Sequence, residues 1–295
     1  MSRYPADHTG LEILPYDECL RMLGTVPVGR VSFSADGEIV VLPVNHVMDG
    51  HDPVFRTARG SKLSAAEGQD VVAFEADAYD ERTRSGWSVL VNGRAYAIYE
   101  EPEIQRLGRL GLRPWVTGAD RPFWIRIRPA SITGRRTSDP DGGAGRPTRS
   151  WGREMSPYPA DHAGLEILSF DRCLELLATV PVGRISFLAD GEIVVLPVNY
   201  LMDGPDPVFR TARGSKLSSA EGYNLVAFEA DHYDERTQSG WSVLVNGRAR
   251  AIYDGGEIQR LNHLGLYPWV EPEARPFWIR IRPASISGRQ TPGIG

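Results

Sequence analysis

The chain is one sequence written twice. Residues 4–137 align with residues 158–291 at a constant offset and without a gap, and about 100 of about 134 aligned positions are identical. Met1-Ser2 returns as Met155-Ser156, as the fusion of two copies of a complete short gene would leave it. A period of about 154 residues is a whole domain and far exceeds a solenoid unit, so the fold to be explained is a single domain present in tandem. Between the copies runs Asp139-Pro140-Asp141-Gly142-Gly143-Ala144-Gly145-Arg146-Pro147-Thr148, which cannot bury a core and reads as a flexible tether. The expected division is a first domain over 1–137, a Gly/Pro-rich linker over 138–155 and a second domain over 156–295. A tether of about 20 residues reaches roughly 25 Å, enough to join two domains packed side by side. It also holds them at millimolar effective concentration. If the parent domain is a homodimer, this chain is its covalent pseudo-dimer and is expected to be monomeric.

Composition narrows the function. The 295 residues are 41% hydrophobic and 24% charged, with net charge −5, which is ordinary for globular domains. No apolar run approaches the roughly 18 residues of a membrane helix, and the first ten residues lack a secretory pattern. A soluble, cytoplasmic protein with no membrane partner is expected. Basic residues are dispersed and outnumbered, which argues against nucleic acid. The two cysteines, Cys19 and Cys173, are too few for a disulfide framework or a thiolate zinc site, and each reads as a small buried hydrophobe. Of the six histidines only His8 recurs, as His162, so no metal site is expected.

Within one copy, Tyr16, Cys19, Leu20 and Leu23 fall at helical spacing and predict a helix over 15–23. Residues 28–34 and 38–47 are β-rich runs separated by Asp36-Gly37, a tight-hairpin dipeptide. Strands over 54–57 and 71–76 flank a short helix over 62–67. Residues 86–99 form a long β run with Asn92-Gly93 inside it, which reads as one strand bent by a glycine bulge in preference to a hairpin. A helix over 103–110 and a last strand from 123 to 127, with Ile132 beyond it, complete six strands joined mostly by hairpins. That pattern predicts a mainly β fold, an antiparallel barrel with short helices at its corners. Asp77, Asp80 and Glu81 read as a solvated charged loop. The copies differ at His46/Tyr200, Arg84/Gln238, Tyr96/Arg250 and across 117–120/271–274, positions expected near pocket walls.

The segment Phe55-Arg56-Thr57-Ala58-Arg59-Gly60-Ser61-Lys62-Leu63, repeated unchanged at 209–217, runs from strand through a glycine turn into a helix start. Hydroxyl and cationic donors beside unpaired helix N–H groups are the parts of a phosphate cradle. A capping role for Ser61 with solvated cations explains the same residues, and the segment alone leaves both readings open. Trp87, which opens the long strand beside a glycine, is a candidate for a pocket mouth. No catalytic side chain stands out.

Each copy resembles the pyridoxamine 5′-phosphate oxidase-like family of FMN-binding split β-barrels, in the small flavin-binding branch that includes nitroimidazole-resistance-type proteins. The resemblance is carried in order by Gly29-Arg30-Val31-Ser32-Phe33, Leu42-Pro43-Val44-Asn45, Val54-Phe55-Arg56-Thr57 with Gly60-Ser61-Lys62-Leu63, Val72-Ala73-Phe74-Glu75, Gly86-Trp87-Ser88-Val89 with Gly93-Arg94-Ala95, and Trp124-Ile125-Arg126-Ile127-Arg128-Pro129. It implies two six-stranded split barrels pairing as a pseudo-dimer, with flavin in grooves between them. Carried over to this sequence, Arg56, Thr57, Ser61 and Lys62 would clamp the FMN phosphate. Pro43, Val44 and Asn45 would lie along the ring, and Trp87 and Ser88 would approach it from across the interface. In copy two these are Arg210, Thr211, Ser215, Lys216, Pro197, Val198, Asn199, Trp241 and Ser242. The additional basic set and longer C-terminal segment of oxidases acting on pyridoxamine phosphate are not found. The resemblance therefore implies an oxidoreductase acting with a reduced donor on a different, small organic substrate. The deazaflavin F420 on the same scaffold, or a non-enzymatic flavin or haem carrier or sensor, are the alternative expectations.

Overall fold

A computed structural model describes residues 4–7, 9–112, 115, 121–137, 161, 164–266, 268–270 and 272–292. The expected tether over 138–155, His8, His162 and residues 117–120 lie outside these. Copy one comprises β1 (Leu11–Leu14), α1 (Tyr16–Leu23), β2 (Val28–Ala35), β3 (Glu38–Asp49), β4 (Asp52–Thr57), α2 (Ser61–Glu67), β5 (Val71–Asp80), β6 (Ser85–Ile98), α3 (Glu101–Gly108) and β7 (Phe123–Thr137). Copy two repeats the series as β8 (Glu166–Ile167), α4 (Phe170–Leu177), β9 (Val182–Ala189), β10 (Glu192–Asp203), β11 (Asp206–Thr211), α5 (Ser215–Glu221), β12 (Leu225–Asp234), β13 (Ser239–Ile252), α6 (Gly255–Asn262) and β14 (Phe277–Gln290). Among the described residues no helix is long and apolar enough to cross a membrane.

Each copy is an antiparallel barrel. The first sheet runs β1-β7-β4-β3-β2-β5-β6, and β6 also pairs with β7. Six strands therefore close into a ring, which removes the exposed edges of an open sheet. The seventh, β1, was not foreseen from sequence. It covers the free end of β7, pairing Leu11 with Thr137 and Leu14 with Gly134. Asp36 and Gly37 both take positive φ, 52° and 80°, as the two-residue hairpin requires. The 86–99 run is a single strand whose register with β7 shifts between Asn92 and Gly93. A side chain at Gly93 would sit 2.1 Å from the Arg128 carbonyl oxygen, so only glycine fits this bulge.

Inside the first barrel, Val31, Phe33, Phe74, Val89, Val91, Ile125 and Ile127 form a closed apolar core capped by Cys19 and Leu23 of α1. Both cysteines are buried, and burial raises their thiol pKa values, that of Cys173 to about 11, which suits their reading as inert core residues. The β5 segment Val72-Ala73-Phe74-Glu75-Ala76-Asp77 is buried on both faces. One face fills the barrel. The other meets copy two, where Ala73 and Leu90 pack on Ile193 and Val195, and Ile39 and Val41 pack on Ala227 and Leu244. Three strands of each barrel thus present a second apolar surface, and each surface is covered by the other copy.

Charge sits at the centre of this seam. Arg30 donates from Nε and Nη2 to both oxygens of Asp231, at 2.9 and 2.6 Å, and Arg184 reaches Asp77 in the same bidentate geometry at the same distances. Each guanidinium also bonds the aspartate of its own barrel, at 3.1 and 2.9 Å. Ser32 and Ser186, related by the repeat, meet at 3.1 Å. The expectation of a solvated loop is therefore corrected for Asp77, which is buried on β5 because a guanidinium from the other copy compensates its charge. Asp80 does sit at a turn, accepting the Arg82 and Thr83 backbone N–H groups.

One of the differences between the copies, His46/Tyr200, also proves to be a core feature and not a pocket wall. His46 packs edge-on to Phe74 and bonds the Leu23 carbonyl, while Tyr200 packs edge-on to Phe228 and donates to the Leu177 carbonyl. Burial without a counter-charge lowers the His46 pKa to about 4, with the Leu23 carbonyl only partly opposing the shift. Because the folded-state value lies below the unfolded one, the neutral imidazole's contribution is complete above about pH 6.5 and is lost as pH falls towards 4, a change of about 3 kcal/mol. His46→Tyr, which gives copy one the residue of copy two, is expected to match the parent in urea denaturation at pH 7. Its advantage should grow steadily below pH 6.5, and an unchanging difference from pH 7 to 4.5 would contradict the assignment.

Candidate functional site

Two grooves lie along the seam, and each takes its walls from both copies. The first has a volume of about 380 Å³. Copy one supplies residues 41–45 of β3, the 56–62 loop, Trp115 and Arg121; copy two supplies Asp161, residues 231–233, Trp241, Ser242 and residues 287–291. The second, of about 90 Å³, has the reciprocal composition: Trp87, Ser88, Arg135 and Arg136 face Pro197, Val198, Asn199 and Arg275. The sequence-derived candidates Pro43, Val44, Asn45, Arg56, Thr57, Ser61, Lys62, Trp241 and Ser242 all converge on the first groove. Trp87, Ser88, Pro197, Val198 and Asn199 line the second, whose walls do not include Arg210, Thr211, Ser215 or Lys216.

The cationic loop follows from β4 and the turn after it. Arg56 sits where β4 pairs with β7, opposite Trp124, and its Nε donates to the Arg121 carbonyl at 2.7 Å. Its guanidinium lies 5.8 Å from the Trp124 ring centre. Gly60 then takes φ 147°, a region that side chains avoid, and swings the chain into α2. No side chain caps α2, and Ser61 is its exposed first residue, so the capping explanation of Ser61 does not hold. With only seven residues in α2, the side-chain cations and not the helix dipole dominate the local field.

These cations crowd one another. Burial and the neighbouring Arg121 lower the Lys62 pKa to about 8, against the pull of Asp161 from the other copy. Arg121 is itself lowered, by burial and by Arg56. Asp161 is already engaged by Arg289 at 3.0 Å. Repulsion among Arg56, Lys62 and Arg121 is what a bound dianion would relieve. Lys216 mirrors Lys62 at about 8, with burial and Arg275 lowering it and Asp7 opposing them.

Beyond the cations the groove is lined by Val44, Pro43 and Trp115 of copy one and by Trp241, Leu244, Ser242, His232 and Gln290 of copy two. Asn45 does not aim its oxygen at the groove, since Oδ1 accepts the Trp115 backbone N–H at 3.2 Å and pins that segment to β3. Asn199 holds Trp269 in the same way at 3.1 Å. Trp115 then packs against Tyr233 across the seam at 5.5 Å, as Trp269 does against Tyr79. On the far wall, the Trp241 indole N–H is buried with no acceptor among the described residues. Glu229, also fully buried on this wall, is raised well above the usual carboxyl range by burial and by Asp231, against the pull of Arg184 at 3.5 Å.

A profile of the family described as pyridoxamine 5′-phosphate oxidase matches residues 15–136 and again 169–290. The chain belongs to that family, twice over. Among its relatives, an uncharacterized protein of Mycobacterium tuberculosis, Rv0080, is 38% identical over 128 residues, spanning 42% of this chain and 83% of the relative. Similar solved structures include an FAD-binding protein from Mycobacterium smegmatis, 36% identical over 42% of this chain and 97% of that one, with TM-score 0.37. An FAD-binding protein from Mesorhizobium loti is 24% identical over 43% of this chain and 98% of its own, also with TM-score 0.37.

In this tandem member of the pyridoxamine 5′-phosphate oxidase family, sequence reasoning missed Arg121, Asp161, His232, Tyr233 and Gln290, all on the first groove. Arg121 carried a usable signal, since Arg121-Pro122-Phe123-Trp124 returns as Arg275-Pro276-Phe277-Trp278. The copy-two residues come from strand ends that only the packing of the barrels brings opposite the loop. Lys62 is cationic below about pH 8 and neutral above it, so affinity for a phosphate monoester should be full near pH 7 and fall up to tenfold per unit past pH 8. Calorimetric titration from pH 6.5 to 9.5 checks this, with Lys62→Arg, Lys216→Arg expected to flatten the profile. A flat profile in the parent chain would mean that neither lysine meets the anion.

Proposed function

We propose that the chain is a flavin-binding oxidoreductase that holds FMN at the seam of its two barrels and passes hydride or electrons between a reduced donor and a small organic acceptor. The observation that carries the reading is the first groove: about 380 Å³, within the range of cofactor sites, with crowded cations on one loop and Pro43, Val44, Trp115 and Trp241 among its walls. A flavin mononucleotide has that polarity, a phosphate dianion on a ribityl tail and a flat ring. Arg56, Thr57, Ser61 and Lys62 would hold the phosphate, and Arg121 would add a third positive charge. Pro43 and Val44 offer the ring a face, while Trp241 and Ser242 of the other copy close over it. Bound flavin supplies the redox chemistry. The protein's part is to orient it, keep water from its buried side and offer an indole N–H that otherwise lacks a partner.

Membership in the family supports a flavin over other anionic ligands, and the compact cationic end favours FMN over the longer tail of F420. Equilibrium titration with FMN, FAD and F420 tests both points, and FMN is expected to bind most tightly. Each charge-assisted contact contributes about 1.5–3 kcal/mol, so Arg56→Ala with Lys62→Ala should weaken FMN in the first groove at least a hundredfold. Unaltered affinity would remove the clamp from the account. Photoreduced holoprotein mixed anaerobically with a small quinone should reoxidise faster than free reduced FMN; equal rates would point to a carrier.

A further inference from the structure

The two grooves are built by one rule and lined differently. In the second barrel a single register row runs His232, Trp241, Gln290, Glu166 across β12, β13, β14 and β8. The equivalent row of the first barrel is Ala78, Trp87, Arg136, Glu12. His232, Trp241 and Gln290 line the first groove, whereas Ala78, Trp87 and Arg136 line the second. The nine-residue cationic segments are identical in the two copies, yet two of the four positions in this facing row differ. Divergence has fallen on the wall opposite the clamp and spared the clamp.

The two rows offer a ligand different chemistry. Arg136 donates to Glu12 at 2.7 Å and lies 5.6 Å from the Tyr4 ring centre, so the second groove carries an ion pair that satisfies itself. In the counterpart position of the second barrel Gln290 donates to Glu166 at 2.7 Å, which leaves that row without the arginine. Beside it the Trp241 indole N–H is buried without an acceptor among the described residues, while the Trp87 indole is more exposed. A buried donor of this kind calls for an acceptor, and the carbonyl edge of a flat heteroaromatic ring is one. Size agrees with chemistry. The first groove, at about 380 Å³, is of cofactor dimensions, and the second, at about 90 Å³, is well below them.

We propose that the grooves are unequal by construction: the chain binds one flavin tightly, in the first groove, and His232 and Gln290 set that preference over the second. The proposal rests on the flavin reading above and goes beyond it in assigning the stoichiometry and the residues that decide it. The cationic segment is duplicated in sequence, but only that of copy one lines its groove, and the row facing it selects where the ring is accepted.

Titration of the full chain with FMN, read by flavin fluorescence and by bound stoichiometry, tests this. One equivalent is expected, with any second at least tenfold weaker. H232A/Q290R, which gives the first groove the row of the second, is expected to weaken the tight site at least tenfold with native circular dichroism retained. A78H/R136Q, the reverse exchange, should tighten the second equivalent. Two equivalents of equal affinity, a tight site unmoved by H232A/Q290R, or a second equivalent unmoved by A78H/R136Q would overturn the inequality while leaving the flavin reading in place. Failure to bind FMN, FAD or F420 at all would overturn both.

Discussion

Everything in this molecule turns on two guanidinium groups buried at the seam and answered by carboxylates of the opposite copy. Arg30 and Arg184 lie almost wholly out of water, where burial alone would strip their charge, yet Asp231, Asp77 and their neighbours hold both pKa values above the ordinary arginine range. The same contacts overcome burial to keep Asp77 and Asp231 ionised. Glu75 and Glu229, whose carboxyls are raised by burial and by the neighbouring aspartates, stand 3.7 and 3.5 Å from Arg30 and Arg184 and complete the cluster. Removing one partner from such a pair strands a buried charge at a cost of about 3–5 kcal/mol. Neither barrel can bury its own arginine without the other, which makes the pairing specific where apolar packing alone would tolerate sliding.

The grooves are a consequence of that registration. Asp231 lines the first groove and Asp77 the second, so the ion-pair cluster forms the shared partition between them. Bidentate geometry fixes how the strand end at Trp241 stands against the cationic loop at Arg56. A loop from one barrel and a wall from the other then meet across a space that neither barrel encloses by itself. Duplication within one chain frees the two halves to diverge, and the substitutions at the facing rows show where they have done so.

Much of the fold was legible because it is written in local chemistry. Asp36-Gly37 announced its hairpin, Gly93 its bulge, and the β run over 71–76 its strand. The short β1 escaped notice because Leu11-Glu12-Ile13-Leu14 gains strand character only from the uncovered end of β7. The cationic loop was readable as a repeated string, and the structure brings Arg56 and Lys62 together with Arg121. On the opposing wall, Trp241 and Ser242 were named through the resemblance, but His232 and Gln290 were not, because they are neighbours only across three strands of a sheet. Asp77 misled for the same reason: a carboxylate amid charged residues looks solvated until its arginine, more than a hundred residues away, is known. His46 and Tyr200 looked like pocket variation and are core residues, each satisfying a carbonyl at the end of the helix that caps its barrel.

The claim that the two copies clasp each other within one chain is most directly tested by a double-mutant cycle on Arg30→Met and Asp231→Asn, followed by urea denaturation at several protein concentrations. Close, desolvated pairs of this kind couple by about 1.5 kcal/mol or more. The account requires a coupling of at least that size which does not change on dilution. A coupling near zero, or one that appears only as concentration rises, would show that the halves of one chain do not meet.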